Sequence, residues 1–374
     1  MTSTSADAGT QQAPSLPQGS ASDRVLADLL AIAERVQTHI TALVDRHIDQ
    51  WTSAGGDPNA RGVLAAYREM ALSGGKRLRP AFTFWAYQGA GGDPADQQAL
   101  DAALAVELLH TFALIHDDVM DRAATRRSVE TIHVAHARRH AELGYRGDAD
   151  HYGDSIAILM GDLAFAHASE LVVGLPRECS SIFFTMCADL MVGQYLDIES
   201  AARGISAEVS VAPQITELKT ARYTVECPLV MGAALAGRAD DLAEPLRAYG
   251  NPVGHAFQLR DDLLGAFGDP STTGKPVGDD IAQGKVTRLL ELALERSEGD
   301  DREVILRLGG PRMVDSDLDR ARGLLESTGA RAEVETTIAR LVEEGVAALD
   351  GADLTTEAKD LLSGAAILIA NRNH

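Results

Sequence analysis

Cysteine is scarce. Cys179, Cys187 and Cys227 are the only three in 374 residues. Their spacing suits neither a disulfide framework nor a zinc site, so all three are expected as buried small apolar residues in a reducing compartment. Aromatics make up 5% of the chain against 45% hydrophobic residues in all. Ala and Leu therefore dominate, which favours helix over sheet. Stretches alternating apolar and polar residues are missing as well, so an all-α fold is predicted. Cations are in deficit: 34 Lys and Arg against 55 Asp and Glu leave a formal charge of −21. Such a chain is ill suited to nucleic acid, where affinity depends on neutralising phosphates with Lys and Arg. No apolar run approaches the ~18 residues of a membrane span. The amino terminus lacks the charged start and apolar core of a signal peptide. A soluble, cytoplasmic protein is the expectation.

What is present is helical periodicity. Residues 1–22, rich in Ser, Thr, Ala, Gln and Pro, are expected as a disordered tail, and residues 23–374 as one domain. Apolar spacing predicts helices over residues 23–50, 61–72, 95–121, 131–139, 156–173, 177–199 and 242–267, with further amphipathic helices at 333–349 and 356–369. Residues 142–153 and 268–284 are expected as loops. Pro252 should kink the 242–267 helix, because an interior proline removes a backbone hydrogen bond.

Within this frame one stretch carries chemistry. The apolar run Leu108-Leu109-His110-Thr111-Phe112-Ala113-Leu114-Ile115 leads into His116-Asp117-Asp118-Val119-Met120-Asp121. A helix turns about 100° per residue, so Asp117 and Asp121 share a face, with Ala113 one turn below and His110 about two. Like charges at this spacing repel, and a divalent cation between them would reverse the sign. Paired oxygen ligands with open coordination suit Mg²⁺ held through one or two carboxylates plus substrate phosphates. A solvated acidic face is the plain alternative. Against it stands a second copy, Phe257-Gln258-Leu259-Arg260-Asp261-Asp262, again an apolar helix ending in paired carboxylates. Two such ends facing one another would hold a cluster of ions. Basic groups complement them. Gly74-Gly75-Lys76-Arg77-Leu78-Arg79-Pro80 puts three cations after a Gly-Gly turn, either an exposed loop or a diphosphate cradle. Arg126 and Arg127 follow the first acidic motif, as ion-pair partners or as phosphate clamps. Lys219-Thr220, Gly274-Lys275 and Lys285 complete the set, while Gly193-Gln194-Tyr195-Leu196-Asp197, Asp279 and Asp280 are noted without a role.

In this order, these blocks make the sequence resemble a trans-isoprenyl diphosphate synthase of the polyprenyl synthetase family, close to bacterial short-chain synthases of the geranylgeranyl type. The resemblance covers residue 23 to the carboxyl terminus. It implies an all-α bundle around a deep central cavity, a homodimer, and head-to-tail joining of an allylic diphosphate to isopentenyl diphosphate. By the same resemblance, Asp117 and Asp121 would bind two Mg²⁺ ions and Asp261 a third, supported by Asp118 and Asp262. Arg126, Lys219, Lys275 and Lys285 would clamp the allylic diphosphate. Lys76, Arg79, His110 and Arg127 would hold isopentenyl diphosphate without metal. Thr220 and Gln258 would turn oxygen dipoles toward the allylic cation.

Three positions depart from the family pattern: Gly265 replaces a third Asp of the second motif, Ser128 a common Gly, and Pro252 interrupts the helix leading to Asp261. Phe112 beside the small Ala113, with no insertion in the first motif, is the pattern of twenty-carbon products. That points to geranylgeranyl diphosphate, with farnesyl diphosphate next. Phe112 as a core or dimer-contact residue is the alternative. A terpene cyclase would leave Lys76, Arg79 and Arg127 without purpose, and a catalytically silent partner subunit would not need both acidic pairs.

Overall fold

The apolar period of three to four residues builds the first helix directly. Val25, Leu29, Ile32, Val36, Ile40 and Leu43 are all buried along one side of α1 (Ala21–Ser53). This computed structural model describes residues 21–55, 58–126, 129–206, 210–268 and 278–371. The expected 1–22 tail therefore falls, for residues 1–20, outside the described residues. After α1 come α2 (Pro58–Leu72), α3 (Leu78–Gly89), α4 (Gln97–Met120), α5 (Ile132–Glu142), α6 (Ala149–Val173) and α7 (Arg177–Arg203). The short α8 (Ala212–Ile215) runs into a π-helix, π1 (Thr216–Glu226). Next are α9 (Cys227–Leu235), α10 (Ala239–Phe267), α11 (Asp279–Ala282), α12 (Arg288–Arg296), α13 (Gly299–Arg307), α14 (Asp315–Ser327), α15 (Ala330–Ala348) and α16 (Thr356–Ala370). The all-α expectation holds, with about 81% helix. Among the described residues the sheet content is a two-stranded antiparallel ribbon, Thr125–Arg126 against Val129–Glu130.

α4 is the central element. Asp96 caps it by accepting from the Gln98 N–H at 2.9 Å, which satisfies one of the donors a helix start leaves unpaired. From Ala99 to Leu109 the helix is buried on nearly every side, packed on α3, α6 and α9. Truncating a residue such as Leu109, 0% exposed, to Ala would cost about 2–5 kcal/mol. Beyond Leu109 the burial loosens. His110, Phe112, Ala113, Leu114, His116 and Asp117 are only half-buried, so the last turns before the acidic motif border a more open space.

Two expectations need correction. α4 and α6 are each long and apolar enough to cross a membrane by length and composition. Scattered polar residues hide this from a search for unbroken runs. α4 owes its hydropathy to its place in the core, where two-thirds of its most apolar window is buried, whereas α6 has 39% of its window buried. The second correction is the expected 142–153 loop, because α6 is already helical from Ala149, where the Asp148 side chain caps it. α10 is the expected helix and stays helical through Pro245 and Pro252. An interior proline costs about 3 kcal/mol. Packing of α10 on π1, α9 and α15 offsets that loss.

Candidate functional site

π1 brings the site together. In a π-helix each N–H reaches back five residues instead of four, which widens the bore and is frequent at functional sites. Here that backbone is gripped at close quarters. A Cβ on Gly193 of α7 would meet the Lys219 backbone nitrogen at 2.6 Å, and one on Gly254 of α10 would meet Ala221 Cα at 2.4 Å. Only glycine permits either approach. The grip aims Lys219 toward the end of α4, where its Nζ lies 2.5 Å from Asp197 and 3.5 Å from Asp117. Burial works against the Lys219 charge, but Asp117 and Asp197 outweigh it and its pKa is raised.

The first acidic motif is embedded in ion pairs. Arg126 donates from Nε to Asp118 at 2.7 Å and lies 3.5 Å from Asp117. Asp118 is buried, and Asp117 also accepts from Gln194 Nε2 at 3.1 Å. Asp121 accepts from Lys285 Nζ at 2.7 Å, and Asp280 lies 3.5 Å from the same ammonium. Burial opposes the charge on Lys285 as well, yet Asp280, Asp121 and Asp117 hold its pKa well up.

The second motif reaches the same cluster. Thr220 donates its hydroxyl proton to Gln258 Oε1 at 2.5 Å, and Gln258 Nε2 donates to Asp262 at 2.7 Å. Asp261 precedes it, half-buried. Burial first, then the nearby charges of Asp280, Asp261 and Asp197, push the Asp262 carboxyl up to about 8 against the relief given by Gln258. Carboxylates from α4, α7, α10 and α11 thus converge and outnumber Lys219, Lys285 and Arg126. Among the described residues no three acidic, imidazole or thiol groups sit close enough to hold an ion unaided. An all-oxygen set of this kind suits a hard cation that takes its remaining ligands from a substrate.

A second cationic group stands behind π1. Arg79 donates to Thr224 Oγ1 at 2.8 Å, with its guanidinium 4.4 Å from the centre of the Tyr223 ring. The Tyr223 hydroxyl lies 2.9 Å from His110 Nδ1. Arg79 Nε is buried with no hydrogen-bond partner among the described residues, a rarity in folded proteins that points to a ligand or water. Lys76 is exposed just before it. Between them Arg77 takes a left-handed backbone, φ 48°, uncommon for a side chain other than glycine. A buried ion pair with Glu107 and donation to Ala71 O and Ser73 O hold it there. Phe112 packs against His116 and Phe165, with ring centroids at 4.6 and 5.3 Å, next to half-buried Ala113. Arg127 and Lys275 lie outside the described residues.

The polyprenyl synthetase family profile matches residues 61–321. The chain belongs to the polyprenyl synthetase family. This family member is a trans-prenyltransferase. It is 32% identical over 338 residues to the geranylfarnesyl diphosphate synthase of Aeropyrum pernix, covering 86% of this chain and 96% of that one. With the geranylgeranyl diphosphate synthase of Mycobacterium tuberculosis it shares 34% identity over 290 residues, 75% of this chain and 77% of that one. Its fold superposes with a TM-score of 0.83 on the geranylgeranyl pyrophosphate synthase of Corynebacterium glutamicum, solved with isoprenyl diphosphate and magnesium. That protein is 36% identical, with 91% of this chain and 98% of that one covered.

Sequence reasoning left Asp197, Gln194, Asp280, Tyr223 and Thr224 of this prenyltransferase without roles. Gln194 and Asp197 sit three residues apart, on one side of α7, which was a usable signal. Asp280 carried none, because only its approach to α10 from another part of the chain gives it meaning.

Proposed function

We propose that the enzyme condenses isopentenyl diphosphate with an allylic diphosphate (dimethylallyl, geranyl or farnesyl), with geranylgeranyl diphosphate as the main product. The observation that carries this is the bridging of the two acidic motifs. Asp117 and Asp121 reach the Asp262 region through Lys219, Asp197, Lys285 and Asp280. Asp117, Asp121 and Asp261, supported by Asp118 and Asp262, are the groups to hold Mg²⁺, three ions in all. When bound, Mg²⁺ supplies Lewis-acid stabilisation of the departing diphosphate. Lys219, Lys285, Arg126 and Lys275 orient that diphosphate and share its developing charge. Isopentenyl diphosphate keeps its phosphates, so it needs only cations. Arg79, with an N–H still to be satisfied, joins Lys76, His110 and Arg127 in that role. Thr220 donates a hydrogen bond to Gln258 Oε1, which leaves its hydroxyl lone pairs for an allylic cation. No side chain stands out as a general base, and the departing diphosphate is the natural proton acceptor.

The Phe112, His116 and Phe165 rings, tilted against one another in the turns before Asp117, are suited to form a floor, in keeping with a twenty-carbon product. A homodimer is supported by an apolar stripe on the outer side of the bundle. Phe184, Met191, Tyr195 and Ile198 follow helical spacing along α7, which packs on α6 with its Ile158 and Leu159, and all six are exposed. Large apolar side chains exposed in such number suit an interaction face. A cytoplasmic location fits three free, buried cysteines.

The test is an incubation of the purified chain with Mg²⁺, isopentenyl diphosphate and labelled farnesyl diphosphate. A longer prenyl diphosphate supports the proposal. A hydrocarbon or alcohol would indicate a cyclase, and no turnover a silent subunit.

A further inference from the structure

Gly265 departs from the acidic pattern, and the structure offers a reason. It sits four residues after Asp261, on the same side of α10. A Cβ there would meet Asp280 Oδ2 at 2.5 Å, so a carboxylate from the 278–285 turn already fills the space a side chain would need. Main-chain bonds pin that turn. The Gly278 N–H donates to Gly265 O at 2.9 Å, and the Lys285 N–H donates to Asp280 O at 3.1 Å. Lys285 then stretches from Asp280 to Asp121, its Nζ 3.5 Å from one and 2.7 Å from the other.

We infer that Asp280 is a positioning residue. It shares Lys285 with Asp121 and draws the ammonium aside when a divalent cation takes the Asp121 carboxylate, and Gly265 is glycine to leave it room. The physical argument is competition for one carboxylate. An ammonium and a divalent cation on the same oxygen repel strongly in a half-buried site. Lys285 must therefore yield, and leaving it without an anion inside the protein would carry a heavy desolvation cost. Asp280 is the other carboxylate already in contact with it, at 3.5 Å. Without it, Asp121 is the one carboxylate left in direct contact with Lys285 among the described residues, with Asp117 acting only from farther off, and an incoming ion must break that contact.

The inference rests on the proposed metal role of the acidic motifs. Its test is a titration of the full chain with Mn²⁺, free of substrate and followed by electron paramagnetic resonance. Asp280→Asn should weaken Mn²⁺ binding about tenfold, within the range found when outer partners of a metal site are removed. Gly265→Ala should act in the same direction. Adding Lys285→Met to Asp280→Asn should restore at least wild-type affinity, because the competitor is gone. Wild-type affinity in Asp280→Asn would overturn the inference. So would a double variant as weak as Asp280→Asn, which would make Asp280 a ligand in its own right. If Asp280→Asn did not fold by thermal melt, Lys285→Met alone decides: tighter Mn²⁺ binding supports the inference, and unchanged or weaker binding overturns it. Wild-type binding that survives Asp117→Ala undiminished would sink the metal role itself, a separate failure.

Discussion

Gly254→Ala adds one methyl group at a place where the structure has none to spare. Its Cβ would stand 2.4 Å from Ala221 Cα, whereas carbon atoms in good contact keep about 3.5–4.0 Å. Because the obstacle is backbone, π1 has to retreat by roughly 1 Å, the shortfall between those separations. Overpacking of this kind costs about 1–3 kcal/mol, enough to lower the melting temperature without unfolding the chain. The effect on catalysis should be larger than the effect on stability. Lys219 and Thr220 immediately precede Ala221, and a misplacement of about 1 Å costs on the order of 100-fold in rate. The assay pairs a thermal melt with incorporation of labelled isopentenyl diphosphate into product at 25 °C, where the variant remains folded. Gly323→Ala is the control. It lies inside α14 with nothing within 4 Å of its added Cβ, and should gain up to about 1 kcal/mol from helix propensity alone. Full activity in Gly254→Ala would refute the idea that close packing on α10 aims π1.

Other variants probe the remaining parts of the site and the core. Asp117→Ala should lower turnover by several orders of magnitude with the melt unchanged, while Lys76→Ala should chiefly raise the KM for isopentenyl diphosphate. Equal effects of both on both substrates would contradict two separate diphosphate sites. Phe112→Ala should lengthen the product and Ala113→Phe shorten it, as read by chromatography of the dephosphorylated alcohols. An unchanged distribution would reduce Phe112 to a packing residue. Acid should destabilise the fold through His167, whose ring accepts or donates at Tyr67 (2.8 Å) and His47 (2.6 Å). Burial first, then the neighbouring His47, lowers its pKa from 6.5 to about 4. A depressed histidine is neutral in both states above pH 6.5. Below that the unfolded chain takes the proton and the native one does not, so stability falls until about pH 4, by up to roughly 3 kcal/mol. His133 and His136 are shifted the same way by burial. Melts from pH 7.5 to 4.5 should therefore slope less steeply in His167→Gln, and an identical slope would remove His167 from the account.

Much of this molecule follows from local pattern. Helical spacing alone builds α1, and the run before Asp117 marks α4 as the core helix. Asp117 and Asp121 fall on one side of that helix by its geometry. The order of the basic and acidic blocks is enough to indicate the family, which the comparisons bear out. Local pattern misled at residues 149–153, expected as loop but helical in α6 behind the Asp148 cap. Pro252 lies inside α10, where packing on π1, α9 and α15 offsets the lost hydrogen bond. The same pattern was silent wherever a function needs distant parts of the chain. Residues 216–226 give no periodic sign of a π-helix, whose wider bore depends on glycines of α7 and α10. Asp197 and Asp280 are ordinary acidic residues until folding brings them to Lys219 and Lys285. Secondary structure depends on neighbours a turn away, and the amino-acid order states those outright. Which carboxylate meets which cation depends on contacts across dozens of residues, and only the packed bundle decides them.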